Sequence, residues 1–406
     1  MTTFSQPLPA VGARFGRLAL VLALFALLLA PLGLLADKAV VPLVLVTAGA
    51  GGLLAGRTAL PWRIIDRNLV LAVVLLSAWC LLAALWSFHP LEAATLALRV
   101  ALLLMVLLYL AALVQLLADK ERHRVAEALG LGFGIALAMI GIELIFDGPI
   151  LTLLQGAAPS DYATDSRLNR GISAVSILVW PLAVFAWARG SRSLAFALPA
   201  LVFAVTLFSQ SSASMLALGA GLLAALLAAS GRQAARAVMA LAVIVTLFGS
   251  PLVPSLAQQT GLAQAEFLPD TARYRLHIWM VVSGRIAERP LLGWGFDASP
   301  DLPVEGVQPF RPGGKVIPSH PHNGALQILV ETGLVGSLLT LALLFLVGRR
   351  IDRLAPVPRA CAVATLVTVL GIAATAYGIW QSHWLAMIGA AAAVFIAVLP
   401  APKSGR

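Results

Sequence analysis

Ser319-His320-Pro321-His322-Asn323 closes a polar stretch that starts at Pro254, and Gly324 opens an apolar run that lasts to Val347. The polar stretch is long for so apolar a chain, and it carries Arg273, Arg275, Arg285, Arg289 and Arg311. A histidine placed where water gives way to hydrocarbon, with arginines ahead of it, predicts a reactive site at a membrane surface. The rest of the chain is then the frame that holds the site there.

Of the 406 residues 60% are hydrophobic and 11% charged, with a mean hydropathy of +0.94. That composition excludes an ordinary soluble domain. Apolar runs of about twenty residues recur, each long enough to cross a ~30 Å hydrocarbon core as a helix. Twelve spans are predicted, at 18–36, 39–56, 68–87, 92–117, 125–146, 171–188, 194–209, 212–230, 237–253, 322–347, 360–380 and 383–399. Arg14 and Arg17 precede the first run, and no small-residue cleavage site follows it, so it reads as a retained span and not a cleaved signal. Cys80 and Cys361 fall in apolar runs and do not indicate a disulfide.

The formal net charge of +10 is read as topology-fixing loop charge, with no nucleic-acid partner. With a cytoplasmic N-terminus, 18 of the 28 Lys and Arg residues fall on the cytoplasmic side. Eight of the nine outside lie in two loops, 147–170 and 254–321, and a local break of the positive-inside rule calls for a reason. The expected architecture is an all-α polytopic membrane protein of about 12 transmembrane helices with both termini cytoplasmic. Segment 1–253 holds helices one to nine, 254–321 is a large periplasmic loop domain with an amphipathic helix, and 322–406 holds the last three helices and a cytoplasmic tail.

Within the loop, residues 272–289 read as that helix, with Tyr274, Ile278, Val281, Val282 and Ile286 as its apolar stripe and Arg275 and Arg285 on more polar faces. Such a helix would lie on the outer leaflet. His322 opens the tenth span. Its ordinary pKa near 6.5 suits a general base, while a histidine merely hydrogen-bonded at a helix start is the plainer reading. The outer arginines Arg167, Arg170, Arg273, Arg275, Arg285 and Arg289 could grip a lipid diphosphate through forked hydrogen bonds, or pair with loop carboxylates and headgroups. Arg99 lies inside the fourth span, where an unpaired charge costs at least ~2.5 kcal/mol, so it needs a partner such as Glu92, Glu143 or a phosphate. Glu331 lies nine residues beyond His322, about 13 Å along a helix, too far for contact. It reads as a buried hydrogen-bonding or Arg99-pairing group. No His-Glu-x-x-His, Asp-x-Asp or Walker pattern occurs, so neither a metal nor a nucleotide cofactor is expected.

His322-Asn323, nine residues, then Gly333-Leu334-Val335-Gly336 resembles the pattern of the O-antigen ligase family, in the ligase/polymerase superfamily. Arg275-Leu-His-Ile-Trp279, then Arg289-Pro290-Leu-Leu-Gly293-Trp-Gly295, resembles the segment that precedes that pattern. The resemblance implies a GT-C-like glycosyltransferase of the bacterial inner membrane, with its active site on the periplasmic face. It would take a glycan from undecaprenyl diphosphate and join it to lipid A–core, without metal or other cofactor and with inversion. By the same resemblance His322 is the base, Arg275 and Arg170 bind the diphosphate, and Asn323 and Trp279 belong to the substrate site. An O-antigen polymerase or a protein-glycosylating ligase would share this architecture. A lipid-linked glycan flippase is the alternative of another class. Pro181 in the sixth span favours it, and the one-sided clustering of cationic residues speaks against it.

Overall fold

Hydrocarbon offers a backbone no water to bond, so a chain this apolar must satisfy its amides internally, and helices do so segment by segment. The computed structural model describes residues 9–56, 64–155, 163–209, 211–262 and 265–400, and among them it is helical without strands. The helices in order are α1 Pro9–Leu35, α2 Val40–Ala55, α3 Arg67–Ala83, α4 Pro90–Gln115, α5 Asp119–Ile145, α6 Pro149–Gln155, α7 Ala163–Ala188 and α8 Arg192–Leu207. They continue as α9 Ser212–Ala229, α10 Arg232–Ile244, α11 Leu252–Gln259, α12 Asp270–Glu288, α13 Gly324–Asp352, α14 Pro356–Ala373 and α15 Ser382–Val398. Each of the twelve predicted runs coincides with a helix. Ten of those helical stretches are long and apolar enough to cross a membrane, α10 through a wider turn at Val245–Gly249. The other two, α8 and α15, are apolar but have only 16 and 17 residues, about 24–26 Å of helix. Arg57, Arg63, Lys403 and Arg406, which entered the charge count, lie outside the described residues, as does the Arg167 side chain.

The chain divides into two compact units. The first takes in the described parts of 1–67, 104–219 and 386–406. Here α1 packs along α5 and α7. The approach to α5 depends on Gly132, where a Cβ would stand 2.0 Å from the Leu27 carbonyl oxygen. Buried Arg122, at the start of α5, donates to the carbonyls of Gln115, Leu117, Ile396, Leu399 and Pro400, which fastens the end of α15 to it.

The second unit comprises 68–103 and 220–385, and α13 packs there against α10, α12 and α14. The α13 ladder breaks at Gly333, which sits at φ 66°, ψ −165°. The freed backbone groups are taken up by residues 290–295, which run alongside. Trp294 N–H donates to Val330 O at 2.7 Å and Gly295 N–H to Glu331 O at 3.0 Å, while Leu334 N–H donates back to Pro290 O at 2.9 Å. The Trp79 indole N–H takes Thr332 O at 2.9 Å. A Cβ on Gly333 would lie 2.2 Å from Leu291 O, and one on Gly293 2.7 Å from the Glu331 carbonyl carbon.

Three expectations change. The stripe of α12 faces protein and not a leaflet: Ile278 and Val282 are buried in a core with Leu276, Trp279, Trp294, Leu302, Val316, Ile317, Leu326 and Val330, and Tyr274, Val281 and Ile286 pack on its edge. No large separate domain is evident in 254–321, because that core is completed by Leu326 and Val330 of α13. The eleventh span also ends early. It was expected to reach 380, but α14 stops at Ala373, and residues 374–381 form a loop whose backbone groups bond elsewhere.

Gly333→Ala should destabilise the protein by about 1–3 kcal/mol, since it adds a side chain at positive φ against backbone. Gly134→Ala, in a helix with open space around it, should leave stability unchanged or higher. Thermal unfolding of the two variants in detergent checks this.

Candidate active site

The start of α13 is fixed by Asn323, whose side-chain oxygen accepts the Ala325 and Leu326 N–H groups at 3.1 Å each. It is a helix cap, 2% exposed. Just ahead of it, His322 adopts φ 56°, a left-handed conformation that costs on the order of 1 kcal/mol outside glycine. Three contacts hold it there. The Trp279 indole N–H of α12 donates to Pro321 O at 2.8 Å. His322 N–H donates to His320 Nδ1 at 3.1 Å. His322 Nδ1 lies 2.9 Å from Ala376 O, in the 374–381 loop.

These bonds decide the tautomers. A carbonyl only accepts, so Nδ1 of neutral His322 carries the proton and Nε2 keeps its lone pair. In His320, Nδ1 accepts, so Nε2 carries the proton, and the Gln381 amide 3.2 Å away must present its oxygen. The two rings stand 4.3 Å apart, edge to face. Burial, then the neighbouring His322 and His383, push His320 down to about 4. Burial also lowers the His322 pKa; the Ala376 bond works against that, and the Arg275 charge adds to it. Both rings are therefore neutral at neutral pH.

Arg275 reaches this site because it lies one helical turn before Trp279, on the same face of α12. Burial lowers its pKa, and no carboxylate pairs with it among the described residues. The other arginines of the loop are engaged. Arg273 pairs with Asp270 and Arg285 with Glu288, each three residues away. Arg289 stacks over the Trp294 ring at 3.9 Å, and Arg311 stands 5.8 Å from the Tyr274 ring. In the first unit, exposed Arg170 meets Asp37 at 3.0 Å. Arg99 is exposed on α4, and no described carboxylate pairs with it. Glu143 instead accepts the Ile150 and Leu151 N–H groups.

Glu331, fully buried, is not bonded to Arg99. Its carboxylate accepts four hydrogen bonds: Ser299 Oγ at 2.5 Å and Gln327 Nε2 at 3.0 Å on Oε1, Asp297 N at 3.0 Å and Trp380 Nε1 at 2.7 Å on Oε2. Sequence reasoning missed Ala376, Gln327, Trp380 and Gln381. Ala376 contributes only a carbonyl and leaves no signal, but Gln327, Trp380 and Gln381 are polar groups in apolar runs and could have been noticed.

Between pH 6.5 and about 4 the unfolded chain binds a proton at His320 that the folded chain refuses. Stability should therefore fall as pH drops through that window, by at most about 1.4 kcal/mol per pH unit. His320→Gln should show a shallower fall when unfolding temperature is followed from pH 7 to pH 5, with His322 supplying what remains.

Residues 195–341 match the protein-family model described as O-Antigen ligase. The chain is also similar to a protein of Rickettsia felis, 28% identical over 321 residues, covering 77% of this chain and 76% of that one. A Rickettsia prowazekii protein is 28% identical over 327 residues, covering 78% of each. Both bear the name "Putative polysaccharide ligase". The segment that matches the O-Antigen ligase model contains α12, the His322 turn and the Gly333 break together.

Proposed function

We propose that this chain is a polysaccharide ligase of the bacterial inner membrane. It transfers a glycan from undecaprenyl diphosphate to a hydroxyl of lipid A–core on the periplasmic face. The observation that carries the reading is the pairing of His322 with Arg275. Nδ1 is held by Ala376 O, which leaves Nε2 to accept a proton, and a half-buried guanidinium with no carboxylate partner among the described residues acts on the same ring. The family match and the names of the relatives support glycosyl transfer. The lysine and arginine distribution supports cytoplasmic termini and a periplasmic site.

The chemistry follows. The acceptor hydroxyl gives its proton to His322 Nε2 as its oxygen bonds to the anomeric carbon. The bond from that carbon to the diphosphate breaks, and its electrons leave with the phosphate oxygen. Arg275 neutralises the departing charge. Attack opposite the leaving group inverts the anomeric centre. The sugar–diphosphate bond is already activated, so positioning, a base and positive charge are enough without a metal. Asn323 and Trp279 serve by shaping the His322 turn.

His322→Ala should lower turnover by about 10²–10⁴-fold while the protein stays folded. Arg275→Ala should cost about 10²–10³-fold, and Arg275→Lys should restore little, because an ammonium lacks the fork. The assay is purified protein reconstituted with a lipid-diphosphate glycan and either lipid A–core, the repeat unit or a protein as acceptor. Product on lipid A–core supports the ligase; chain extension or glycosylated protein would reassign the acceptor. Activity should survive EDTA, and loss that a divalent ion restores would overturn the metal-free mechanism.

A further inference from the structure

The structure holds His322 through a loop that offers it only a carbonyl, so the placement of that carbonyl needs a cause. Residues 374–381 leave the helix and give four groups to the site. Ala376 O goes to His322 Nδ1, Ile379 N–H to Gln327 Oε1 at 2.9 Å, Trp380 Nε1 to Glu331 Oε2, and the Gln381 amide to His320. Gly378 allows the close pass, since a Cβ there would stand 2.9 Å from the His320 ring. Two of the four groups lead to Glu331, Trp380 directly and Ile379 through Gln327. The same carboxylate takes Asp297 N–H and Ser299 O–H, at the end of the segment that fills the break in α13. Phe296 packs on the Trp380 ring, centroids 4.9 Å apart.

We propose that Glu331 is a positioning residue for His322: it fixes the 374–381 loop through Trp380 and Gln327, and so sets the Ala376 carbonyl that selects the tautomer and aim of the imidazole. This rests on the reading of His322 as the base. Glu331 touches no reacting atom, and about 13 Å of helix separates it from His322.

The amide isostere tests the point sharply. In Glu331→Gln, an NH₂ at the Oε2 position would face Asp297 N–H and Trp380 Nε1–H, neither of which can reverse. At the Oε1 position, Ser299 can turn to accept, but Gln327 can do so only by flipping its amide and withdrawing its oxygen from Ile379 N–H. Each arrangement loosens the loop. Trp380→Phe is the milder variant, since it keeps the carboxylate and three of its four donors.

The experiment measures turnover against pH for wild type, Glu331→Gln, Trp380→Phe and His322→Ala, in detergent, with a lipid-diphosphate glycan donor and lipid A–core. Titratable groups around the ring are His320 beside it and Arg275 from α12, with His383 acting on His320. The expected result for Glu331→Gln is a fall in kcat of about 10–100-fold with KM for the donor little changed. The acid limb of its pH profile should move to lower pH, because the Ala376 carbonyl no longer favours the protonated ring. Trp380→Phe should move both readouts the same way by less, and it carries the test if Glu331→Gln does not fold. Wild-type turnover in either folded variant, or lower kcat with an unmoved pH profile, overturns the proposal. An active His322→Ala protein overturns the base reading itself; inactive His322→Ala beside unaffected Glu331 and Trp380 variants overturns the positioning role alone.

Discussion

An amide without a partner in hydrocarbon costs several kcal/mol, and α13 interrupts its own ladder inside a helix long enough to span. That one break dictates the rest of the second unit. Val330 and Glu331 lose helical partners for their carbonyls, and Trp294 and Gly295 supply N–H groups in their place. A segment drawn in to that depth brings Asp297 and Ser299 with it, and their donors are what make a buried carboxylate at 331 tolerable. The reactive end of the helix and the irregular middle are therefore one hydrogen-bonded assembly.

The electrostatics of the site divide along the same lines. Burial keeps both histidine rings neutral, and Arg275, whose charge acts on His322, has no carboxylate partner among the described residues. A guanidinium that is half withdrawn from water and lacks a carboxylate is poised for an anion delivered from outside. Arg273 and Arg285 on the same helix are already neutralised by Asp270 and Glu288, and this difference sets Arg275 apart from them.

Much of this was legible before any coordinates. Apolar runs alone place twelve of the helices, with ends that differ by as much as nine residues, because length and composition decide what can cross a bilayer. The ion pairs of Arg273 and Arg285 could also be read, since Asp270 and Glu288 stand three positions away, whereas the positions three and four from Arg275 are Thr271, Ala272, Ile278 and Trp279. The helical stripe of α12 was visible, but its partner was not: an apolar face suits lipid and protein equally, and only tertiary structure brings Leu326 and Val330 to it. Gly293 passes close against the α13 backbone and Gly295 against that of Ser87, neighbours that no local pattern names. The early end of α14 left no mark, because the groups that stop it are backbone atoms bonded to His322 and Gln327.

One feature of α13 bears on how such a sequence can change. Between the Asn323 cap and Gly333 the helix makes about two and a half turns, and both ends are pinned, one by its cap and one by its left-handed break. Adding or deleting a single residue there would swing the Glu331 carboxylate about 100° around the axis, away from the donors of Asp297, Ser299 and Trp380. Length in this interval is consequently as much a part of the chemistry as the imidazole that precedes it, and the side chains of those turns, nearly all buried, have little more freedom than the count.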